Sequence, residues 1–183
     1  MSRKRRRHAG PARVILGWIF FILIVMMLIM AGMFLVRYQV TVPDQAMSPT
    51  LEEGDSIAVE RLGYRFLNPK RYDVIVFPAR YDKDTLLVRR IVALPGETIR
   101  IADGKIYVNG TALDEPVDLG TIQDAGTAFS TLTLNEDEYF VLCDDRKTIT
   151  DSRQPAIGMV RRSDIYGKAL LRTWPLLGIK LIR

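Results

Sequence analysis

From Val14 to Val36 the chain carries no charged side chain. As a helix this run would be roughly 35 Å long at about 1.5 Å per residue, enough to cross a bilayer core of about 30 Å. It shows no polar face, which a helix packed on a soluble core would have. It is also longer than the apolar centre of about 7–15 residues in a cleaved leader. It leads into Arg37-Tyr38-Gln39 with no Ala-x-Ala at its exit. The pattern predicts an uncleaved membrane anchor over 14–36.

Beyond the run the pattern changes to short alternating stretches broken by turn residues. Ser56–Glu60, Asp73–Phe77, Thr85–Leu94, Thr98–Ile101, Lys105–Val108, Glu138–Leu142 and Ile165–Arg172 each predict a strand. Asp103-Gly104 predicts a tight hairpin between two of them, and Pro95-Gly96 and Asn109-Gly110 predict turns. Residues 111–137, with Pro116, Gly120, Gly126 and several acids, lack such a pattern and are expected to form a surface insertion. Three segments result: a tail over 1–13, the span over 14–36, and one mainly β domain over 37–183.

Charge adds a direction. The formal net charge is +5. Arg3, Lys4, Arg5, Arg6, Arg7 and Arg13 all precede the span, and no acid precedes Asp44. Without those six, 20 of the 26 Lys and Arg remain against 21 Asp and Glu. The basic character thus belongs to the tail. Directly before a membrane span, it fits the positive-inside rule better than nucleic-acid binding. The tail is expected in the cytoplasm and 37–183 outside it, in a single-pass protein of the cell membrane.

Composition then removes several chemistries from the outer domain. His8, in the tail, is the one histidine, and Cys143 is the one cysteine. The domain can hold no Ser-His-Asp triad, no Cys-His pair, no histidine metal site and no internal disulfide. No cofactor and no metal are expected.

Five motifs in order carry a family resemblance. Ala46-Met47-Ser48-Pro49-Thr50-Leu51 leads to Gly54-Asp55. Tyr72-Asp73-Val74-Ile75-Val76-Phe77 follows, then Arg89-Arg90-Ile91-Val92-Ala93-Leu94-Pro95-Gly96. Next come Lys105–Gly110, and then Cys143-Asp144-Asp145-Arg146 with Asp151-Ser152-Arg153 and Gly158. Together, after an anchor, they resemble bacterial signal peptidase I, whose fold is a mainly β extracytoplasmic domain on a transmembrane helix. In that family the first box begins with serine and the arginine pair begins with lysine. The resemblance implies a serine that attacks the scissile carbonyl of a leader peptide. A neutral lysine takes its proton, and backbone and side-chain donors hold the oxyanion.

Here Ala46 stands at the serine and Arg89 at the lysine. A methyl forms no acyl-enzyme, and a guanidinium keeps its proton in proteins. A permanent charge at an apolar site needs a partner. Asp44, where the family usually has glycine or serine, is the expected partner of Arg89, and its carboxylate would repel a developing oxyanion. Strand alternation puts Leu87, Arg89 and Ile91 on one face and Val88, Arg90 and Val92 on the other, so one arginine of the pair should face the cleft.

Met47 and Pro49 are expected to pack beside the cleft. Asp144, Arg146, Asp151, Ser152 and Arg153 are expected to form a bracing ion-pair network. Ser48 is an ordinary occupant of its position rather than a substitute nucleophile. Cys143 is expected as a packed core residue, and Lys70, Lys83, Lys105 and Lys147 as solvated cations in turns.

Two functions follow from the resemblance. One is a membrane-anchored, catalytically inactive relative that binds extended peptides or helps assemble exported proteins. The other is an active leader peptidase with non-standard catalytic residues. Further departures at Asp44, Tyr72, Cys143 and Asp145 speak for natural divergence rather than a two-site laboratory knockout.

Overall fold

The computed structural model describes residues 11–36, 39–61, 64, 67–175 and 178–182. The basic residues Arg3 to Arg7 lie outside them. The chain divides into two units, Met1–Tyr38 and Gln39–Arg183.

In the first unit, α1 spans Pro11–Val36. It contains the whole uncharged run. Arg13 to Ala31 all have exposed side chains. By length and composition this stretch is apolar enough to cross a membrane.

The second unit is built on strands. These are β1 (Gln39–Thr41), β2 (Ser56–Glu60), β3 (Val74–Pro78), β4 (Leu86–Ala93), β5 (Thr98–Ala102), β6 (Lys105–Val108), β7 (Thr111–Ala112), β8 (Leu132–Thr133), β9 (Glu138–Leu142), β10 (Val160–Arg161), β11 (Gly167–Trp174) and β12 (Lys180–Leu181). Among the described residues they form a large sheet ordered β1-β2-β11-β3-β4-β9-β10, with β12 paired to β11, and a smaller sheet ordered β7-β6-β5-β8. Among the described residues the strands of both sheets pair antiparallel. The fold is mainly β, as the alternation predicts. Asp103 (φ 51°) and Gly104 (φ 73°) turn β5 into β6 with Ala102 opposite Lys105. Positive φ at both central residues is what a two-residue hairpin requires.

The central strands are buried on both faces. Val74, Val76 and Val88 pack into one cluster with Met47, Leu51 and Ile57. Ile75, Phe77, Leu87 and Ile91, from the same strands, pack into another with Tyr139 and Val141. A third cluster joins Val92, Phe140 and Leu142 to Ile99, Ile101 and Ile106 of the small sheet.

Two expectations need correction. Residues 111–137 are not merely a surface insertion: Ile122, Ala128 and Leu134 are buried in the third cluster, and the segment contributes β7, β8 and a 3-10 turn over Gly126–Phe129. It fills the gap between the sheets with single apolar residues, too sparsely spaced to form a period. Lys105, expected both to open the strand Lys105–Val108 and to sit in turn-like surroundings, does the first: it begins β6, with its side chain exposed.

Candidate functional site

The segment between β1 and β2 forms no regular element, yet it is pinned throughout. Its ends close where the Val42 N–H donates to Asp55 O (2.8 Å) and the Gly54 N–H to Val42 O (3.0 Å). Met47 and Leu51, both fully buried, anchor its middle against Val88. The Asp145 N–H donates to Ala46 O at 2.9 Å, tying residue 46 to the loop after β9. Ala46 is 2% exposed, so its methyl is enclosed. Pro49 is exposed at the outer turn and Ser48 half-buried.

The Arg89 side chain lies where β4 loses its neighbour. Ile91 exchanges backbone hydrogen bonds with Asp73 and Tyr72 on the β3 side, so alternation turns the Val88 carbonyl toward β9. The β4–β9 pairing runs only from Ala93↔Phe140 to Arg90↔Leu142. The Val88 carbonyl therefore lies past the end of β9, and the Arg89 guanidinium fills the place: Nη1 donates to Val88 O at 2.6 Å.

Nε donates to Thr150 O (2.7 Å) and Nη2 to Thr150 Oγ1 (2.8 Å). The remaining donors meet Asp44, Nη2 to Oδ2 at 2.8 Å and Nη1 to Oδ1 at 3.3 Å. A guanidinium has five N–H donors, and all five have acceptors here. Arg89 is 0% exposed, whereas the Asp44 side chain is 35% exposed. Asp44 Oδ1 also accepts the Ala46 N–H at 3.1 Å.

Arg90 leaves β4 on the other face, yet it too reaches the segment. It donates to both oxygens of Asp144, from Nε at 2.7 Å and Nη2 at 2.6 Å. Nη1 donates to Tyr72 O at 3.1 Å and Nη2 to Thr50 Oγ1 at 3.4 Å. Thr50 Oγ1 donates in turn to Asp144 Oδ2 at 2.5 Å. Alternation therefore does not leave a single arginine facing the segment; the two guanidinia approach it from opposite sides of the strand.

The loop after β9 braces both arginines. Asp151 accepts the Cys143 N–H at Oδ2 (2.9 Å), the Arg153 N–H at Oδ1 (3.0 Å) and the Arg153 guanidinium at both oxygens. Burial alone would lower the Arg153 pKa, but the hydrogen bond and charge of Asp151 hold it above the ordinary arginine value. Arg153 also donates to the carbonyls of Asp124, Arg146 and Thr148. Ser152 Oγ accepts the Val141 N–H (3.0 Å) and donates to Gly158 O (2.8 Å), so it is spent on the backbone. Arg146 pairs with Glu115, and its buried Nε and Nη1 have no hydrogen-bond partner among the described residues. Burial raises the Glu115 carboxyl, against the opposing pull of Arg146.

Neither Ser48 nor Cys143, the two side chains weighed as nucleophiles, has an activating base among the described residues. Ser48 Oγ donates to Glu52 Oε1 at 3.2 Å, a contact that offers no base of lysine or histidine type. Cys143 is buried, with Sγ 3.8 Å from Thr150 Oγ1. Burial pushes its thiol up to about 12, and Arg89 offsets only part of this. Sequence reasoning missed Thr150, whose two acceptors orient Arg89, and Thr50 and Glu115, which complete the arginine contacts. Single threonines and a loop acid have no spacing that announces them.

The family model described as signal peptidase, peptidase S26, matches residues 15–174. Signal peptidase IB of Staphylococcus aureus (strain COL) is 31% identical over 177 residues, spanning 88% of this chain and 90% of that protein. The probable signal peptidase I-2 of Synechocystis is 31% identical over 77% of this chain; the match spans 65% of its length, just under two thirds. Among solved structures, a signal peptidase I from Enterococcus faecalis is 31% identical over 56% of this chain and 97% of its own, with a TM-score of 0.44.

Proposed function

The chain belongs to the S26 signal peptidase family, and from that premise we propose a membrane-anchored member that binds peptide without cleaving it. One observation carries the reading: the residue at the lysine position has every donor engaged, beside a residue that carries only a methyl. A general base must give up a proton and take one back. Arg89 is held as a cation by Asp44, Thr150 and Val88, and Ala46 has no proton to yield. Asp44 adds negative charge beside the Ala46 N–H, where an oxyanion would need donors alone.

A binding role needs shape and backbone hydrogen bonds, not the dyad. The substrates of active relatives bear leader peptides, and the proposed ligands are extended segments of exported proteins with small side chains. We assign α1 as the anchor, with the tail in the cytoplasm and the strand-built unit outside. Its apolar side chains, exposed along Arg13–Ala31, would be solvated by lipid.

The test is incubation of the full chain, in detergent micelles, with a leader-bearing precursor. No mature product is expected. The double substitution Ala46→Ser with Arg89→Lys is also expected to give none, because Asp44 still opposes the oxyanion. Turnover by the unaltered chain that disappears on Ser48→Ala would instead establish an active peptidase with a displaced nucleophile.

A further inference from the structure

Resting on the peptide-binding reading, we propose that Arg89 and the Ala46 amide form a carboxylate site that Asp44 fills from within, and that the free C-terminal carboxylate of an extended peptide exchanges with it. Three donors converge on one point: Nη1 and Nη2 of Arg89 and the N–H of Ala46. A planar fork with an added amide is the geometry that recognises carboxylates.

The fork does not depend on Asp44 for its orientation. Its other donors are fixed to Thr150 O, Thr150 Oγ1 and Val88 O, and the Ala46 carbonyl is held by the Asp145 N–H. Asp44 could leave and the receptor would keep its shape. What leaves behind is a buried cation, and such a charge strongly favours a replacement anion.

Asp44 is also an imperfect occupant. Charge-assisted N–H···O bonds are commonly about 2.7–2.9 Å. Of the two guanidinium contacts only Nη2–Oδ2, at 2.8 Å, meets that; Nη1 reaches Oδ1 at 3.3 Å, and Oδ1 is shared with the Ala46 N–H at an ordinary 3.1 Å. Asp44 is two residues from Ala46, and this short tether limits how squarely its carboxylate can face the fork. A ligand arriving from solvent has no such tether. The approach is open on Asp44's side: its side chain is 35% exposed, between exposed Pro43 and Gln45.

The position selects the ligand. Residue 46 stands where relatives attack a peptide carbonyl. A chain running past this point presents a neutral amide, which cannot displace an aspartate from an arginine. A chain that ends there presents a carboxylate. The site therefore favours peptides that terminate beside Ala46, the class of product that a leader-cleaving reaction releases.

The experiment uses the full chain in micelles and one extended, alanine-rich peptide in two forms, with a free C-terminal acid and with a C-terminal amide. Asp44→Ala should tighten binding of the acid form about tenfold or more, the scale of one charge-assisted contact, and leave the amide form unchanged. Asp44→Asn, which keeps the shape, should act in the same direction and serves if the alanine variant does not fold. Formate should raise the melting temperature of either variant more than that of the unaltered chain, and chloride at equal ionic strength should not.

Equal binding of acid and amide forms by the variants would overturn the exchange while leaving peptide binding intact. Binding of neither form, with formate still stabilising the variants, would overturn the peptide as ligand. Binding of neither form and no response to formate would remove both the site and the reading on which it rests.

Discussion

Arg89 differs from a lysine in the number and direction of its donors more than in charge. A lysine offers three rotatable N–H groups on a point charge; the guanidinium offers five in a plane, and the chain supplies an acceptor for each. Such complete matching belongs to a position organised around arginine. Cys143, one loop away, shows a different adjustment. Burial raises its thiol from 9.0 to about 12, so folding favours the protonated form. The resulting stabilisation is fully present below the thiol's unfolded value and is lost as pH rises toward about 12. At pH 8 a disulfide reagent such as Ellman's should label Cys143 at least about 1000-fold more slowly in the native chain than in denaturant. Comparable rates would show an open thiol. The Asp44–Arg89 partnership was legible because an arginine in an apolar setting demands an anion, and Asp44 lies two residues before Ala46. Thr150 was not legible, because its role depends on where β9 stops, which no residue type signals.

At the scale of elements, the strands with clear alternation or continuous apolar runs all form, and the hairpin signalled by Asp103-Gly104 closes as its φ values require. The short strands β1, β7, β8, β10 and β12, two or three residues each, were not read from the sequence, because a period of two needs more than one repeat to be seen. Strand β11 shows what a glycine can decide. Gly167 opens it, paired with Val76, and a Cβ there would meet Glu60 O at 2.5 Å and a Val59 methyl at 2.7 Å. The contact is with backbone of β2, the neighbour on its other side, and so cannot relax by a rotamer change. Gly167→Ala should cost about 1–3 kcal/mol, the usual range for overpacking, read as a lowered melting temperature of the full chain. An unchanged melting temperature would show that β2 and β11 can part at no cost.

For the whole molecule, the apolar helix and the strand-built unit demand different solvents, and the charge asymmetry before the helix sets the expected direction. Protease added to intact cells should digest the Gln39–Arg183 unit and spare an epitope placed before Arg3. The reverse pattern would invert the orientation. A chain confined to a bilayer meets copies of itself at high local concentration, and unfinished sheet borders are where β proteins stick together. The guanidinium lying past the end of β9 occupies a main-chain acceptor that a second copy would otherwise use to zip on. On the proposed membrane-anchored reading, Arg89 would thereby also act as an insulator against fibril-like self-association.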